Sequence, residues 1–234
     1  MEGLLVIDNY NSLEKSDKIR VVYDKTIDLV YIDAPSLCDF IDLGLPSGRK
    51  WASCNVGATK PEEYGLYFAW GETEGYSGIT SEKQFNLGDY KHTSGGSYNT
   101  LSKYNSGTSY GVVVDNLTTL ELVDDAAYVS DNTCRMPTSG ECKELIDNTT
   151  STWETLNGVY GRRFTSKTNG NSIFIPAAGE CSNGSVSGVG SYCKLWSSSL
   201  GNFPSEGSDL FFYSVSVYMF SSSRHYGYSV RAVL

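Results

Sequence analysis

The alternation in the last quarter of the chain is the feature that most constrains its fold. From Asp209 the sequence reads DLFFYSVSVYMFSSSRHYGYSVRAVL. Leu210 and Phe212, then Val215, Val217 and Met219, recur at every second position, which predicts the buried side of β-structure. The remaining positions are Phe211, Tyr213, Ser214, Ser216, Tyr218, Phe220, Ser221, Ser222, Ser223, His225, Tyr226 and Tyr228. Strand side chains alternate between two faces, so this second set is predicted to face water. A solvent face of tyrosine, phenylalanine, serine and histidine has the chemistry of an antibody paratope, with rigid aromatics for contact area and serines for adaptable hydrogen bonds. The pattern predicts a binding face on a β-rich scaffold. Tyr and Phe also favour strands in general, and a sheet covered by a second subunit would carry the same residues.

The rest of the composition excludes several function classes. A chain of 234 residues accommodates one large domain or two small ones and a substantial core. Its formal net charge of -9, with no basic stripe, argues against nucleic-acid binding. No apolar run approaches the roughly 20 residues of a membrane-spanning helix, so no membrane insertion is expected. The start, MEGLLVIDNYNSLEKSDKIR, lacks the basic, apolar and small-residue succession of a signal peptide. The six cysteines, Cys38, Cys54, Cys134, Cys142, Cys181 and Cys193, contain no CxxC pair. With only His92 and His225 to assist, they predict free thiols of a reducing compartment and no metal site. The sequons at Asn116, Asn148 and Asn183 are read as chance matches in the absence of an export signal.

Along the chain, residues 1–35 read as a separate N-terminal β arm or as the first strands of the main domain. Its pieces Ile19–Tyr23 and Ile27–Ile32 flank a turn-prone Asp24-Lys25 and predict a hairpin. Residues 36–234 form the main domain. Gly and Pro punctuate its first part, where Trp51, Val56, Tyr64, Tyr67, Phe68 and Trp70 are core candidates. Residues 75–116 read as long surface loops, leaving Glu72, Asp89 and Asp115 as solvated carboxylates. Two helices follow, one within Leu120–Val129 and one opened by Thr138. There Glu141, three residues on, completes a capping box, and Leu145 and Ile146 point inward toward Trp153. Strands are predicted at Thr155–Val159, Arg163–Ser166 and Ser172–Pro176, the last two joined by an Asn169-Gly170 turn. Gly179–Ser191 reads as a loop. Strands, loops, two helices and further strands make the fold class α+β.

Specific blocks carry a family likeness. FIDLGLPSGRKWASCNVGATKPEEYGLYFAWGE, RMPTSGECKELI, NGNSIFIPAAGE and the closing LWSSSL and GYSVRAV resemble, in order and over Phe40–Leu234, the C-type-lectin-fold domains of gut bacteria and their phages. That group is related in fold to the formylglycine-generating enzymes. It includes the variable proteins of diversity-generating retroelements, among them phage tropism determinants. The resemblance implies a C-type lectin fold with two helices, short mixed and antiparallel sheets and long loops. It also implies a ligand- or receptor-binding face near the C-terminus, on a phage tail or fibre or on a cell surface. The partner implied is a cell-surface protein or glycan, no cofactor is called for, and the protein would be a monomer or a homotrimer.

In such proteins an error-prone reverse transcriptase rewrites adenines of the template, typically in asparagine codons. Those codons can yield Phe, Ser, Tyr, His, Cys, Asp and Gly, but not Lys, Glu, Gln, Met or Trp. All twelve outward positions fall inside the permitted set. Phe203, Ser205, Gly207, Ser208 and Asp209 are further candidates, whereas Lys194 and Glu206 are fixed or templated differently. Leu195, Trp196, Val230 and Arg231 belong to the scaffold, with the arginine expected to lie buried against a carboxylate or backbone carbonyls.

Three alternatives are weaker. An oxidase of the formylglycine-generating type needs paired cysteines, for which Cys181 and Cys193 are the nearest candidates, in no matching motif. A Ser-His-Asp arrangement is limited by the two histidines, and His225 reads better as a contact residue. Calcium-dependent lectins carry Glu-Pro-Asn or Gln-Pro-Asp and Trp-Asn-Asp triplets, which this chain lacks. Asp124-Asp125 reads as a helix-start pair. Gly184–Gly190 does not fit GxGxxG. A purely structural virion or surface component remains the third class.

Overall fold

The structure, a computed structural model, describes the backbone of residues 20–24 and 29–33 and all of residues 38–234. It divides into two units, residues 1–37 and residues 38–234. In the first, β1 (Arg20–Asp24) pairs antiparallel with β2 (Leu29–Asp33), as a hairpin. Ile19, Lys25 and Ile27, which belong to the expected strands and turn, lie outside the described residues.

The second unit is α+β. Strands β3 (Phe40–Asp42) and β4 (Lys50–Ala52) pair antiparallel. Their register, with Phe40 opposite Ala52, brings Cys38 and Cys54 together as a disulfide with Cα atoms 5.7 Å apart. This corrects the expectation of six free thiols. Cys134, Cys142, Cys181 and Cys193 are free, and all four are buried. After β5 (Tyr67–Phe68) come long segments without strands, but they are not the solvated loops that their polarity predicts. Phe85, Tyr90, Leu101 and Tyr104 are buried. Lys83 reaches Glu72 at 2.7 Å and Asp89 at 3.3 Å, so two of the supposedly free carboxylates share a buried ammonium.

The first helix is shorter than its pattern suggests. Leu122–Asp124 is a 3₁₀ turn, and α1 spans only Ala126–Ser130, because Asp125 caps it by accepting from the amides of Ala127 and Tyr128. The second, α2 (Ser139–Asn148), begins where its capping box places it. Thr138 accepts from the Glu141 amide while the Glu141 carboxylate returns to the Thr138 amide.

Three strands follow as a meander: β6 (Thr149–Leu156), β7 (Val159–Ser166) and β8 (Ser172–Pro176). A strand running through Thr155–Val159 is not what forms. Asn157 and Gly158 both adopt positive φ, 50° and 84°, and turn the chain between β6 and β7. The same Asn-Gly chemistry at Asn183-Gly184 makes a small hairpin of β9 (Glu180–Ser182) and β10 (Ser185–Ser187), where a loop was expected.

The chain closes with β11 (Tyr192–Leu200), β12 (Glu206–Tyr213), β13 (Val217–Ser223) and β14 (Tyr228–Ser229). With β5 they form a five-stranded sheet in the order β13-β12-β11-β14-β5, antiparallel except for β11 against β14. The aliphatic period shifts phase between Phe212 and Val215 because β12 and β13 are a hairpin, with Leu210 opposite Met219 and Phe212 opposite Val217. Val215 lies in the turn and is 78% exposed, contrary to its expected place in the core.

One face of this sheet, the inner face, packs Leu195, Leu210 and Phe212 on Leu145 of α2 and on Phe164, Ile173 and Ile175 of the meander. Val217, Met219, Ile146 and Trp153 adjoin that cluster. The other face is covered only where Trp196 and Tyr228 meet Phe68, Trp70 and Tyr104. Two indoles lock this second layer, the Trp70 Nε1–H donating to the Ser197 carbonyl at 2.9 Å and the Trp196 Nε1–H to the Phe68 carbonyl at 2.8 Å. Gly207 is obligatory beneath them, since a Cβ there would stand 2.6 Å from Trp70.

Arg231 is fully buried and meets no carboxylate among the described residues. Its guanidinium donates to the Ala52 carbonyl (2.9 Å), the Asn55 Oδ1 (2.9 Å) and the Phe174 carbonyl (3.0 Å), and burial pulls its pKa down to about 9. Arg231→Ala is expected to cost at least about 3 kcal/mol, because it orphans three buried acceptors. Tyr218→Ala, on the surface, should stay within about 0.5 kcal/mol. Thermal denaturation of the two variants checks this, and comparable losses would contradict the division between scaffold and face.

Candidate functional site

The outer face of the β11–β12–β13 segment is half covered and half open. At the covered end, Trp196 stacks on Tyr228 at 4.2 Å and Gly207 lies under Trp70. At the open end the aromatics pack edge to edge on one another. Phe211 packs edge-on to Tyr218 (5.3 Å) and Tyr192 (5.8 Å) and leans on Tyr213 (5.7 Å), while Tyr218 meets Phe220 at 6.3 Å. Phe220 is 50% exposed and Tyr218 38%, an apolar surface that soluble monomers seldom present without use.

A cation underlies this cluster. The Lys194 ammonium lies 5.7 Å from the Phe211 ring centre and 5.8 Å from that of Phe220, within cation–π range. It donates to the Tyr228 hydroxyl at 3.1 Å and pairs with Glu180 at 3.0 Å. Lys194 is thus the charge that the aromatic cluster closes over.

Below lies Asp209, fully buried, opposite Trp196 on β11 and Phe220 on β13. Its carboxylate accepts from the Ser222 hydroxyl at 3.2 Å. Burial pushes its pKa up to about 7, against the pull of Lys194 and Ser222 and with a further push from Glu180 and Glu206.

The structure divides the expected contact residues. Phe203, Ser214, Tyr218 and Phe220 are exposed, and Ser205, Phe211, Tyr213, Ser216, Ser221, Ser223 and Tyr226 are partly exposed. Ser222, His225 and Tyr228 are buried, which corrects their assignment to the outward face, as does the burial of Gly207, Ser208 and Asp209. Each has a physical reason. Ser222 turns to Asp209, and Tyr228 belongs to a central strand of the sheet. His225 follows the end of β13, where Tyr98 from the long loop meets it at 6.0 Å and donates to or accepts from the Ser223 hydroxyl at 3.3 Å. Burial holds the His225 imidazole down at about 4, hence neutral.

Two arginines outside the sequence-predicted set hold this region, and both do so through the main chain. Arg162 on β7 donates to the carbonyls of Tyr213 (3.0 Å) and Ser214 (3.2 Å), gripping the β12–β13 turn without touching its side chains. Arg224 lies between Trp70 and Tyr90, 5.5 Å from each ring, and donates to the carbonyls of Lys103 and Tyr104. Neither residue has a periodicity or motif that marks it in the sequence.

A cleft of about 610 Å³ opens beside β12 and β13, where they meet the first turn of α2 and the segment 200–203. Phe203 and Phe220, seventeen positions apart, both line it, together with Glu206, Ser208 and Lys143.

Other candidate chemistries meet specific obstacles. Burial raises the Cys181 and Cys193 thiols to about 12, so they are not poised as thiolates. Asp124 accepts from Lys91, Lys103 and the Tyr104 hydroxyl, and Asp125 from the amides of Ala127, Tyr128 and Met136, so every carboxylate oxygen of the acidic pair is already engaged. No protein-family model matches the chain, and no curated protein or solved structure matches it significantly.

The Asp209 environment makes a pH prediction. A carboxyl whose pKa is raised on folding costs stability as pH rises from its ordinary value near 3.8 to about 7, and costs nothing below that window. Asp209→Asn should raise the melting temperature near pH 8 by several degrees, with about 1 kcal/mol corresponding to about 2–4 °C in a chain of this size. Its advantage should vanish toward pH 4. Melting curves across that range test this, and an advantage that persists at pH 4 would contradict a neutral buried carboxyl.

Proposed function

We propose that this chain is a non-enzymatic ligand-binding protein with a C-type-lectin fold. Its C-terminal face is diversified by a retroelement for attachment to a cell-surface protein or glycan, on a phage or a bacterial surface. The observation that carries the reading is the open aromatic cluster Phe211–Tyr213–Tyr218–Phe220 on strands gripped through their backbone. Aromatic anchors give contact area at low entropic cost, and flanking serines adapt their hydrogen bonds to different partners. Since Arg162 bonds carbonyls and not side chains, the residues at the turn can change while the turn persists. The adenine-derived codon set supports the same positions.

Sequencing of the 3′ end of the gene across a natural population tests this. Substitutions are expected at codons 211, 213, 218 and 220, with Lys194, Leu210, Phe212 and Met219 constant and the buried Ser222, His225 and Tyr228 far less variable. An even spread of substitutions, or none, would overturn the reading.

A second reading, a structural component that uses an apolar surface as a subunit contact, is favoured by one observation. Val112 is 99% exposed and is followed by the exposed Val113 and Val114, and Leu122, Val123 and Val129 are exposed near α1. On that reading the protein sediments as an oligomer, and Val112→Asp combined with Val123→Asp returns it to a monomer in analytical ultracentrifugation. A monomeric wild-type chain would dispose of it.

A further inference from the structure

Three arginines are buried among the described residues, and two of them use every guanidinium nitrogen. Arg231 engages Ala52, Asn55 and Phe174 through its three nitrogens, and Arg162 engages Ser151, Tyr213 and Ser214. Arg224 departs from this pattern. Its Nη1 donates to the carbonyls of Lys103 (3.1 Å) and Tyr104 (3.2 Å), but its Nε and Nη2 are buried with no hydrogen-bond partner among the described residues. These two nitrogens share one side of the guanidinium, the fork with which arginine grips one acceptor or a pair of oxygens. The adjacent His225 also leaves Nδ1 without a partner, but burial keeps that ring neutral, whereas Arg224 carries a full charge. Donors left unmatched out of water are costly, most of all on a charged group.

The carboxylates of the surrounding segments are committed elsewhere. Asp115 accepts from the amides of Tyr104, Asn105 and Leu117. Asp124 holds Lys91 and Lys103, and Glu72 and Asp89 share Lys83. The Trp70 and Tyr90 rings, each 5.5 Å away, take the two faces of the guanidinium, so its open donors lie in the plane between them. These surroundings define what fits the fork. The guest accepts hydrogen bonds, and it is anionic, because a neutral acceptor such as water leaves the buried charge unmatched. It carries a single charge, since a multivalent anion would be repelled by Asp115 and Asp124. It is small, since Arg224 is only 1% exposed.

We propose that Arg224 holds a buried monovalent anion of halide size, bound by its Nε–H and Nη2–H between the Trp70 and Tyr90 rings. The ion supplies the counter-charge that no side chain provides and helps to tie the end of β13 to the segment 103–104. The site lies outside the aromatic cluster around Phe211, and the inference holds whether or not that cluster varies.

Melting temperatures of the full chain in sodium chloride, sodium bromide and sodium gluconate at equal ionic strength test the assignment. An ion that binds only the folded state stabilises it by mass action, so both halides are expected to raise the melting temperature by about 3 °C or more over gluconate and to saturate. In Arg224→Met, which removes the charge and the fork but keeps an apolar stem between the rings, the difference between halide and gluconate should disappear. Anomalous scattering from crystals of the wild-type chain grown in bromide gives a second readout that does not depend on the variant's folding. A bromide peak is expected within hydrogen-bonding reach of both Nε and Nη2. Equal melting temperatures in halide and gluconate, a halide effect that survives in Arg224→Met, or a water molecule at the fork in place of bromide would each overturn the proposal. Population sequencing bears on the aromatic face alone, so the two readings can fail separately.

Discussion

The fold depends on a charge placed where charges are expensive. Arg231 has no counter-ion among the described residues, yet three acceptors converge on it, the Ala52 carbonyl, the Asn55 side chain and the Phe174 carbonyl. Burying a guanidinium is tolerable only when its donors are satisfied in fixed positions. The site therefore forms only when β4, β8 and the C-terminal segment are all in place. The backbone of Ala52 and Val56 pairs with Ala232 and Val230 around the same point. Several short strands that could not stand alone are thus closed at one locus, and the long terminal hairpin is built outward from it.

Around that anchor the molecule separates what must stay from what is free to change. The inner face of β12 and β13 is committed to the core through Leu210, Phe212 and Met219. The outer face is committed only at its Trp70–Trp196–Tyr228 end. Arginine recurs at each boundary between the two regimes: Arg231 at the root, Arg224 beneath the Trp70 layer and Arg162 at the turn. In every case it addresses main-chain carbonyls, joined at Arg231 by the Asn55 side chain and at Arg162 by the Ser151 hydroxyl. Main-chain acceptors are present whatever the side chain, so these contacts tolerate substitution around them. Lys194 does for the aromatic rings what the arginines do for the backbone, offering a central charge that several ring types can face.

Much of this was legible in the sequence where a local rule has a single outcome. The Thr138–Glu141 box set the start of α2, Asn169-Gly170 set the β7–β8 turn, and Arg231 was recognisable as a buried scaffold residue. Asn157-Gly158 and Asn183-Gly184 carry the same turn signal. Apolar flanks, Leu156 and Val159, carry a strand reading across the first, and glycine- and serine-rich surroundings carry a loop reading across the second. The phase shift between Phe212 and Val215 is the mark of a hairpin, but alternation scored on each side alone conceals it. Burial of Ser222, His225 and Tyr228 depends on what Asp209, Tyr98 and Trp196 bring from other segments, which period-two reasoning cannot represent. The Cys38–Cys54 pairing likewise follows from the β3–β4 register and not from spacing. Arg162 and Arg224 carry no local signal, because most of their hydrogen-bond partners are main-chain carbonyls brought in from distant segments.

The position of β13 carries a consequence for how such a surface can evolve. It is the terminal strand of the five-stranded sheet, paired on one side to β12. An edge strand is a template onto which another chain can zip, and apolar, β-prone residues make that easier. Each change at position 218 or 220 therefore acts twice, once on what the protein recognises and once on whether copies of it recognise one another. Colloidal stability thus sets a limit on the repertoire that no ligand imposes. The serines at 216, 221 and 223 suit that limit, since they flank the aromatic positions 218 and 220 with polar groups.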